Sequence, residues 1–314
     1  MSFDPNAAAE HETFFGLPPD QADPAVGLIV VPYEGTVSYR AGTARGPDAI
    51  RAASVQVDLL DQHFGSVWRA GIAEACRVEA PAAADTNEAG GSIHESVRSA
   101  ASRLLSAGAV PGVVGGEHAV SLGAIEACAA AVPSLGVVQI DAHMDLRSAY
   151  GGHRYSHASV MRNALEACPT LSRLVQIGVR DYCEEEIEAA RASDGRVSVV
   201  FDADIWETAD RGGSIRAMLS DMVDHLPEHV YISVDVDGLD PSLCPNTGTP
   251  VPGGLSFNQA CTLLQVISQS GRRVIGFDLV EVSPGEQKDG IDANVGARLL
   301  YKLAGCAIAT RPDA

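Results

Sequence analysis

The stretch LGVVQIDAHMDLR (residues 135–147) leaves an apolar run and at once presents Asp141, His143 and Asp145, spaced i, i+2, i+4. In an extended chain, side chains two apart share a face. A strand continuing through this stretch would therefore bring the three to one point. Carboxylates packed that closely repel, and one of them takes up a proton unless a cation lies between them. The competing interpretation is a solvated strand end with a chance histidine, because charged side chains are mostly exposed. Partners elsewhere in the chain decide between the two.

Outward from this stretch, short β-branched runs alternate with amphipathic ones. The strand candidates are VGLIVVPY, VWRAGIA, AVPGVVGG, LGVVQIDA, RLVQIGVR, VSVVFDA, HVYISVDVD and RRVIGFDLVEV. Helical patterns such as SIHESVRSAASRLLSAG, AVSLGAIEACAAA, HASVMRNALEAC, CEEEIEAARASDG and SFNQACTLLQVISQSG lie between them. Such alternation predicts an α/β protein, a three-layer α/β/α arrangement around a central, mostly parallel eight-stranded sheet. No long linker or internal repeat interrupts residues 1–314, which read as a single domain, with 1–24 as a loose N-terminal arm. The Ala/Gly-rich acidic segment at 79–92 reads as a surface loop.

Composition narrows the function. The formal net charge of −19 repels nucleic acid and anionic membranes; it suits a small cationic ligand and equally an adaptation for solubility or salt tolerance. No apolar run reaches the roughly 18 residues that span a bilayer. The acidic N-terminus lacks the features of a secretory signal, so the expected location is the cytoplasm. Seven scattered cysteines without a C-x-x-C pair speak against a disulfide framework or a zinc ribbon. Cys244, in PSLCPNTG, is expected near the surface.

Ligands of open α/β sheets bind at the carboxyl ends of strands, and four strand candidates end in chemistry. PGVVGGEHAVSLG (111–123) offers Glu117 and His118 after a glycine turn; the second is the stretch quoted first. YISVDVDGLDPS (231–242) offers Asp235 and Asp237, and GFDLVEVSP (276–284) offers Glu281. The glycine turn lacks the G-K-[ST] of a phosphate cradle, and YISV before the aspartates is wrong for an EF-hand. The acid pair Asp202 and Asp204 in VVFDADIW has no histidine or glycine turn beside it and reads as a decoy. His118, Asp141, His143, Asp145, Asp235 and Asp237 together offer two imidazoles and four carboxylates. That set suits two divalent ions about 3.5–4 Å apart, with Mn²⁺ first and Ni²⁺, Co²⁺ or Fe²⁺ as substitutes.

GGEHAVSLG, DAHMD and SVDVDGLDPS resemble the signature stretches of the ureohydrolase family, which includes arginases and agmatinases. VSYRAGTARGPDAIRAAS, LVQIGVRD and NTGTPVPGGLS match further stretches of that family. The resemblance implies that Asp141 and Asp235 bridge two metal ions, with His118 and Asp145 completing one and His143 and Asp237 the other. A bridging hydroxide would attack a guanidinium carbon, releasing urea and an amine. The resemblance also implies that Glu281 holds the guanidinium and that His157, in YSHASVMRN, shuttles protons to the leaving amine. Asp181, in GVRD, would meet a cationic substrate tail, which suits agmatine. A homo-oligomer, trimer or hexamer, is implied as well.

Two departures from the family stand out. Glu117 occupies a position where Asp is usual, and the sequence after Glu281 differs from the common continuation. GGHRYSHASVM lacks the asparagine-histidine-glycine loop of arginases. Guanidinobutyrase, formiminoglutamase (with Arg154 and Arg162 as candidate partners for carboxylates), free-guanidine hydrolase and arginase remain alternatives. From another class, so does a non-catalytic metal-binding homologue.

Overall fold

The computed structural model describes residues 3–81, 85–286 and 290–312. Its eight strands are β1 (Val26–Val31), β2 (Ile72–Arg77), β3 (Val110–Gly115), β4 (Leu135–Ile140), β5 (Leu171–Val179), β6 (Val197–Phe201), β7 (His229–Asp235) and β8 (Arg273–Val280). They form one sheet in the order β2-β1-β3-β8-β7-β4-β5-β6. Every pairing is parallel, which sharpens the mostly parallel expectation. An all-parallel sheet requires cover on both faces, and the side chains alternate accordingly. Val26, Leu28 and Val30 of β1 join one core, while Ile29 and Val31 join the other. The inner strands β1, β3 and β4 are buried along their whole length, whereas the edge strands β2 and β6 are partly exposed.

Helices α1 (Gly46–Ser54), α6 (Asp202–Asp210), α7 (Ile215–Val223), α8 (Phe257–Gln269) and α9 (Ile291–Ala309) send apolar residues into the first core. Helices α2 (Thr86–Ser106), α3 (Leu122–Ala131), α4 (Val160–Ala167) and α5 (Glu184–Arg191) cover the other face. The three-layer arrangement follows.

Four local readings need correction. The segment 1–24 is not loose where it is described. Phe14, Phe15 and Leu17 are at most 2% exposed, the Phe15 backbone N–H donates to Ser54 Oγ at 2.8 Å, and its ring lies 4.9 Å from that of Tyr301. The second strand starts late, at Ile72, because Val67–Ala70 is a turn of 3-10 helix. The segment 79–92 is not all loop. Asp85 accepts hydrogen bonds from Asn87 N and Glu88 N and starts α2 at Thr86, as an N-cap aspartate does. Residues 82–84 of that segment lie outside the described residues. Its glycines serve packing: a Cβ on Gly90 would stand 2.8 Å from Tyr155 Cβ. Finally, Cys244 is buried at 1% exposure.

Asp202 and Asp204 open α6 and so share no strand face. Acidic residues in a first helical turn face the positive end of the helix dipole, a sufficient reason for that pair. Among the described residues no helix is long and apolar enough to cross a membrane.

Candidate metal centre

The four strands that end in chemistry are neighbours, β3-β8-β7-β4, in the middle of the sheet. His118 opens a 3-10 turn after β3, Asp141 directly follows β4, Asp235 is the last residue of β7, and Glu281 directly follows β8. The glycine turn lets these ends close together. A Cβ on Gly116 would lie 2.0 Å from Tyr33 O. The Gly116 carbonyl accepts from Glu281 N at 2.8 Å, tying β3 to β8.

Convergence does not arise from strand alternation, because β4 stops at Ile140. Instead Asp141 Oδ1 accepts the His143 backbone N–H at 2.7 Å, and Asp235 Oδ1 accepts the Asp237 N–H at 2.9 Å. Each is an Asx turn, in which a carboxylate captures the amide two residues on. The i, i+2 spacing in both motifs is the signature of that turn. Asp145 (φ 54°) and Glu281 (φ 62°) both hold left-handed backbone conformations. Such positions cost of order 1–3 kcal/mol and cluster at functional sites.

Two groups of ligand atoms result: His118, Asp141 and Asp145, and Asp141, His143 and Asp237, each within 4.8 Å of one another. His118 Nδ1 lies 2.9 Å from Asp145 Oδ2, 3.1 Å from Asp141 Oδ2 and 3.4 Å from Asp235 Oδ2. His143 Nδ1 lies 3.1 Å from Asp237 Oδ2 and 3.5 Å from Asp141 Oδ1. Asp141 thus belongs to both groups. Asp235 reaches His118 but stands outside both tight groups among the described residues.

The donor set fits divalent cations. His118 Nδ1 is buried beside three carboxylate oxygens, yet makes no hydrogen bond of acceptable geometry with any of them. Lone pairs aimed at a shared point rather than at each other are what metal ligands present. Buried charge without compensation is too costly to keep, and the acidities show the strain. Burial and the Asp141 charge push Asp145 up to about 7, and burial with Asp237 and Asp141 raises Asp235 well above the usual carboxylate range. Burial opposes charge on the two histidines, yet the carboxylates override it, raising His118 well above its ordinary value and His143 to about 12. The same two histidines hold Asp141 low against its burial. Without a cation, protons must do its work.

Partners behind the ligands fix their aim. His118 Nε2 lies 2.8 Å from Ser233 Oγ, whose hydroxyl donates to Asp278 Oδ1 at 3.0 Å. Asp141 Oδ2 accepts from Gln139 Nε2 at 2.7 Å, and Gln139 Oε1 accepts from Gln176 Nε2 at 2.6 Å. Asp237 accepts from Ala142 N at 3.0 Å and Thr249 Oγ1 at 3.1 Å. The Arg180 guanidinium staples the surrounding loops through Asp237 O at 2.6 Å, Gly178 O at 2.9 Å and Val251 O at 3.0 Å. The sequence reading missed these partners, Ser233, Asp278, Gln139, Gln176, Thr249 and Arg180. Their signal is a polar side chain inside an otherwise apolar strand, since Gln139, Gln176, Ser233 and Asp278 are each fully buried. Ser233→Ala should weaken metal affinity about 10–100-fold, read by competition with a fluorescent chelator. Unchanged affinity would show that Ser233 does not aim His118.

A cavity of about 160 Å³ opens over this centre, lined by His143, Asp145, Arg147, Tyr150, His157 and Asp181 among others. His157 and Asp181 therefore reach the same space as the ligands. Burial, then the His143 and His118 charges, push His157 down to about 4. Glu281 lines a small neighbouring pocket with His157 and Thr249, its Oε1 accepting the His118 backbone N–H at 2.8 Å. Burial, then the Glu117 charge, raise it well above the carboxylate range. Arg154 holds Asn87 Oδ1 and Asn163 Nδ2 through its backbone, and Arg162 pairs with Glu166, so neither side chain is placed in this cavity. A larger cleft, about 920 Å³, lies between the N-terminal segment and residues 55–60, and no metal-ligand candidate lines it.

The family model described as the arginase family matches residues 24–305. N(1)-aminopropylagmatine ureohydrolase from Synechocystis sp. is 33% identical over 294 residues, covering 90% of this chain and 89% of its own. Among solved structures, the proclavaminate amidinohydrolase of Streptomyces clavuligerus superposes with a TM-score of 0.84 at 29% identity, covering 97% of this chain and 99% of its own. The agmatine ureohydrolase of Thermoplasma volcanium gives 0.78 at 30% identity, with 93% of each chain covered.

Proposed function

Because the chain belongs to the arginase family, we propose that it is a binuclear metal-dependent amidinohydrolase of the agmatinase type, releasing urea and an amine from a guanidino compound. The observation that carries this reading is the pair of ligand groups sharing Asp141, with the orphaned His118 Nδ1 in one of them. His118, Asp141 and Asp145 would hold one ion, His143, Asp141 and Asp237 the other, and Asp235 would be shared. Bound divalent ions, Mn²⁺ first for this imidazole–carboxylate set, supply water acidified to near neutrality.

The chain's own residues do the rest. Glu281 Oε1 is held by the His118 amide, while Oε2 faces the bare edge of Gly248. A guanidinium donates paired, charge-assisted bonds to such a carboxylate. Its positive charge also relieves the crowding that raises the pKa of Glu281. His157 stands across the cavity and delivers a proton to the departing amine nitrogen. At the rim, Asp181 suits an ammonium tail, and so agmatine is the first substrate.

Arg147 supports a second reading. Its guanidinium lines the same cavity, 5.0 Å over the Tyr150 ring and 3.8 Å from Glu186. A free carboxylate on the tail would compete with Glu186 for it, which favours a guanidino acid such as 4-guanidinobutyrate.

Urea release from agmatine, 4-guanidinobutyrate, arginine and guanidine by Mn²⁺- and Ni²⁺-loaded protein tests both readings, with formamide release from formiminoglutamate as a parallel assay. Agmatine turnover is expected. Preference for 4-guanidinobutyrate would shift the tail contact from Asp181 to Arg147, and silence with both ions bound would overturn the enzymatic reading.

A further inference from the structure

Glu117, buried at 1% exposure, belongs to neither ligand group, although it adjoins His118. Its Oε2 accepts the Thr36 backbone N–H at 2.7 Å, and its Oε1 lies 2.9 Å from Thr36 Oγ1. Thr36 Oγ1 in turn lies 3.0 Å from His157 Nδ1 and 3.2 Å from the His157 backbone N–H. On the other edge of the ring, His157 Nε2 faces Ser38 Oγ at 3.3 Å. Ser38 lines the cavity over the centre.

A hydroxyl has one proton and two lone pairs. The His157 amide can only donate, so it occupies one lone pair. When ionised, the Glu117 carboxylate, already accepting from the Thr36 amide, takes the hydroxyl proton at Oε1. One lone pair remains for Nδ1, which must then carry hydrogen. In neutral imidazole the other nitrogen is left bare, and here that nitrogen is the one facing the cavity.

We infer that Thr36, anchored by Glu117, is the positioning residue that fixes the tautomer and orientation of His157, with Nδ1–H turned inward and the Nε2 lone pair on the cavity side, where it accepts from the Ser38 hydroxyl. The inference rests on the reading of His157 as proton shuttle. In each turnover Nε2 accepts a proton from the water side and passes it to the leaving amine, while the Nδ1–H bond to Thr36 steadies the transient imidazolium. A base held by a third group in this way follows the logic of catalytic triads, with a threonine inserted between acid and imidazole.

Thr36→Val removes the hydroxyl and keeps the backbone bond to Glu117, and Thr36→Ser restores the hydroxyl. In Mn²⁺-loaded protein, Thr36→Val should lower kcat about 100-fold, at the lower end of a general acid–base contribution. KM and metal content should not change, and Thr36→Ser should recover most of the loss. Nitrogen-15 spectra of Zn²⁺-loaded protein labelled at histidine, with His157 assigned by its disappearance in His157→Asn, should show protonated Nδ1 in wild type and Thr36→Ser. Thr36→Val should move the proton to Nε2. Wild-type kcat in Thr36→Val, alongside a large loss in His157→Asn, would overturn the inference while leaving the shuttle intact. Full activity in His157→Asn would remove the shuttle instead, and an unchanged tautomer in Thr36→Val would then overturn the positioning role on its own.

Discussion

Asp141→Asn should leave the protein unable to hold either ion properly and lower urea release by more than about 1,000-fold, beyond the 10–100-fold expected for loss of an outer partner. Asp141 belongs to both ligand groups, whereas Asp145 and Asp237 each belong to one. Its two oxygens are also both committed: Oδ1 to the His143 amide and Oδ2 to Gln139 Nε2, each at 2.7 Å. An amide side chain offers one acceptor oxygen and one donor nitrogen. The substituted side chain would therefore satisfy one of those donors and confront the other, at a cost of about 1–3 kcal/mol for the group left unpaired. The Asx turn that aims His143 is lost if the nitrogen faces that amide. Metal analysis separates this shared role from an ordinary one. Asp145→Asn should retain close to one ion per chain and Asp141→Asn close to none. Two tightly bound ions in Asp141→Asn would refute a shared carboxylate.

The side chains that converge in the two groups were legible because the spacing within each motif is local. An Asx turn needs only a carboxylate and the amide two residues later, so D-x-H and D-x-D carry their geometry within three residues. The β-α alternation was legible for the same reason, since burial on both faces writes an apolar run into each inner strand. What escaped was long-range or set by packing. Thr36 meets His157 across 121 residues, and Ser233 meets Asp278 across 45. No pattern within either segment announces its partner. The docked N-terminal segment had a visible cue in Phe14-Phe15, two adjacent aromatics outside any periodic stretch. Its acidic surroundings hid that cue. Helix α2 was misjudged at its start because Ala- and Gly-rich composition resembles a loop until Asp85 is recognised as a cap. The positive φ of Asp145 and Glu281 lies beyond sequence reading altogether, since neither residue type requires it.

Chelation should destabilise the protein strongly, and more so as pH rises. Ions present at about 1,000 times their dissociation constants stabilise by roughly 4 kcal/mol per site, about 8 kcal/mol for two. At about 2 °C per kcal/mol for a chain of this size, the thermal midpoint should fall on the order of 15 °C. The pH dependence follows from the ligands. Asp145 is raised to about 7, and Asp235 and Glu281 are likewise raised well above their unfolded values. A folded group whose pKa is raised contributes stability below its unfolded pKa and loses that contribution as pH climbs through the folded value. His118 and His143, raised by the same carboxylates, act in the same sense. Metal-free protein should accordingly lose stability from about pH 5 to above pH 7, as buried carboxylates ionise against one another. In loaded protein the ions replace those protons and keep the ligating imidazoles neutral, so its stability should not fall over the same range. The gap between the two should thus be wider at pH 8 than at pH 5.5. Loading at pH 7 should also release protons, seen as a calorimetric enthalpy that varies with buffer ionisation. A midpoint unmoved by chelation, or a gap that narrows with rising pH, would mean that the carboxylates are compensated by something other than divalent cations.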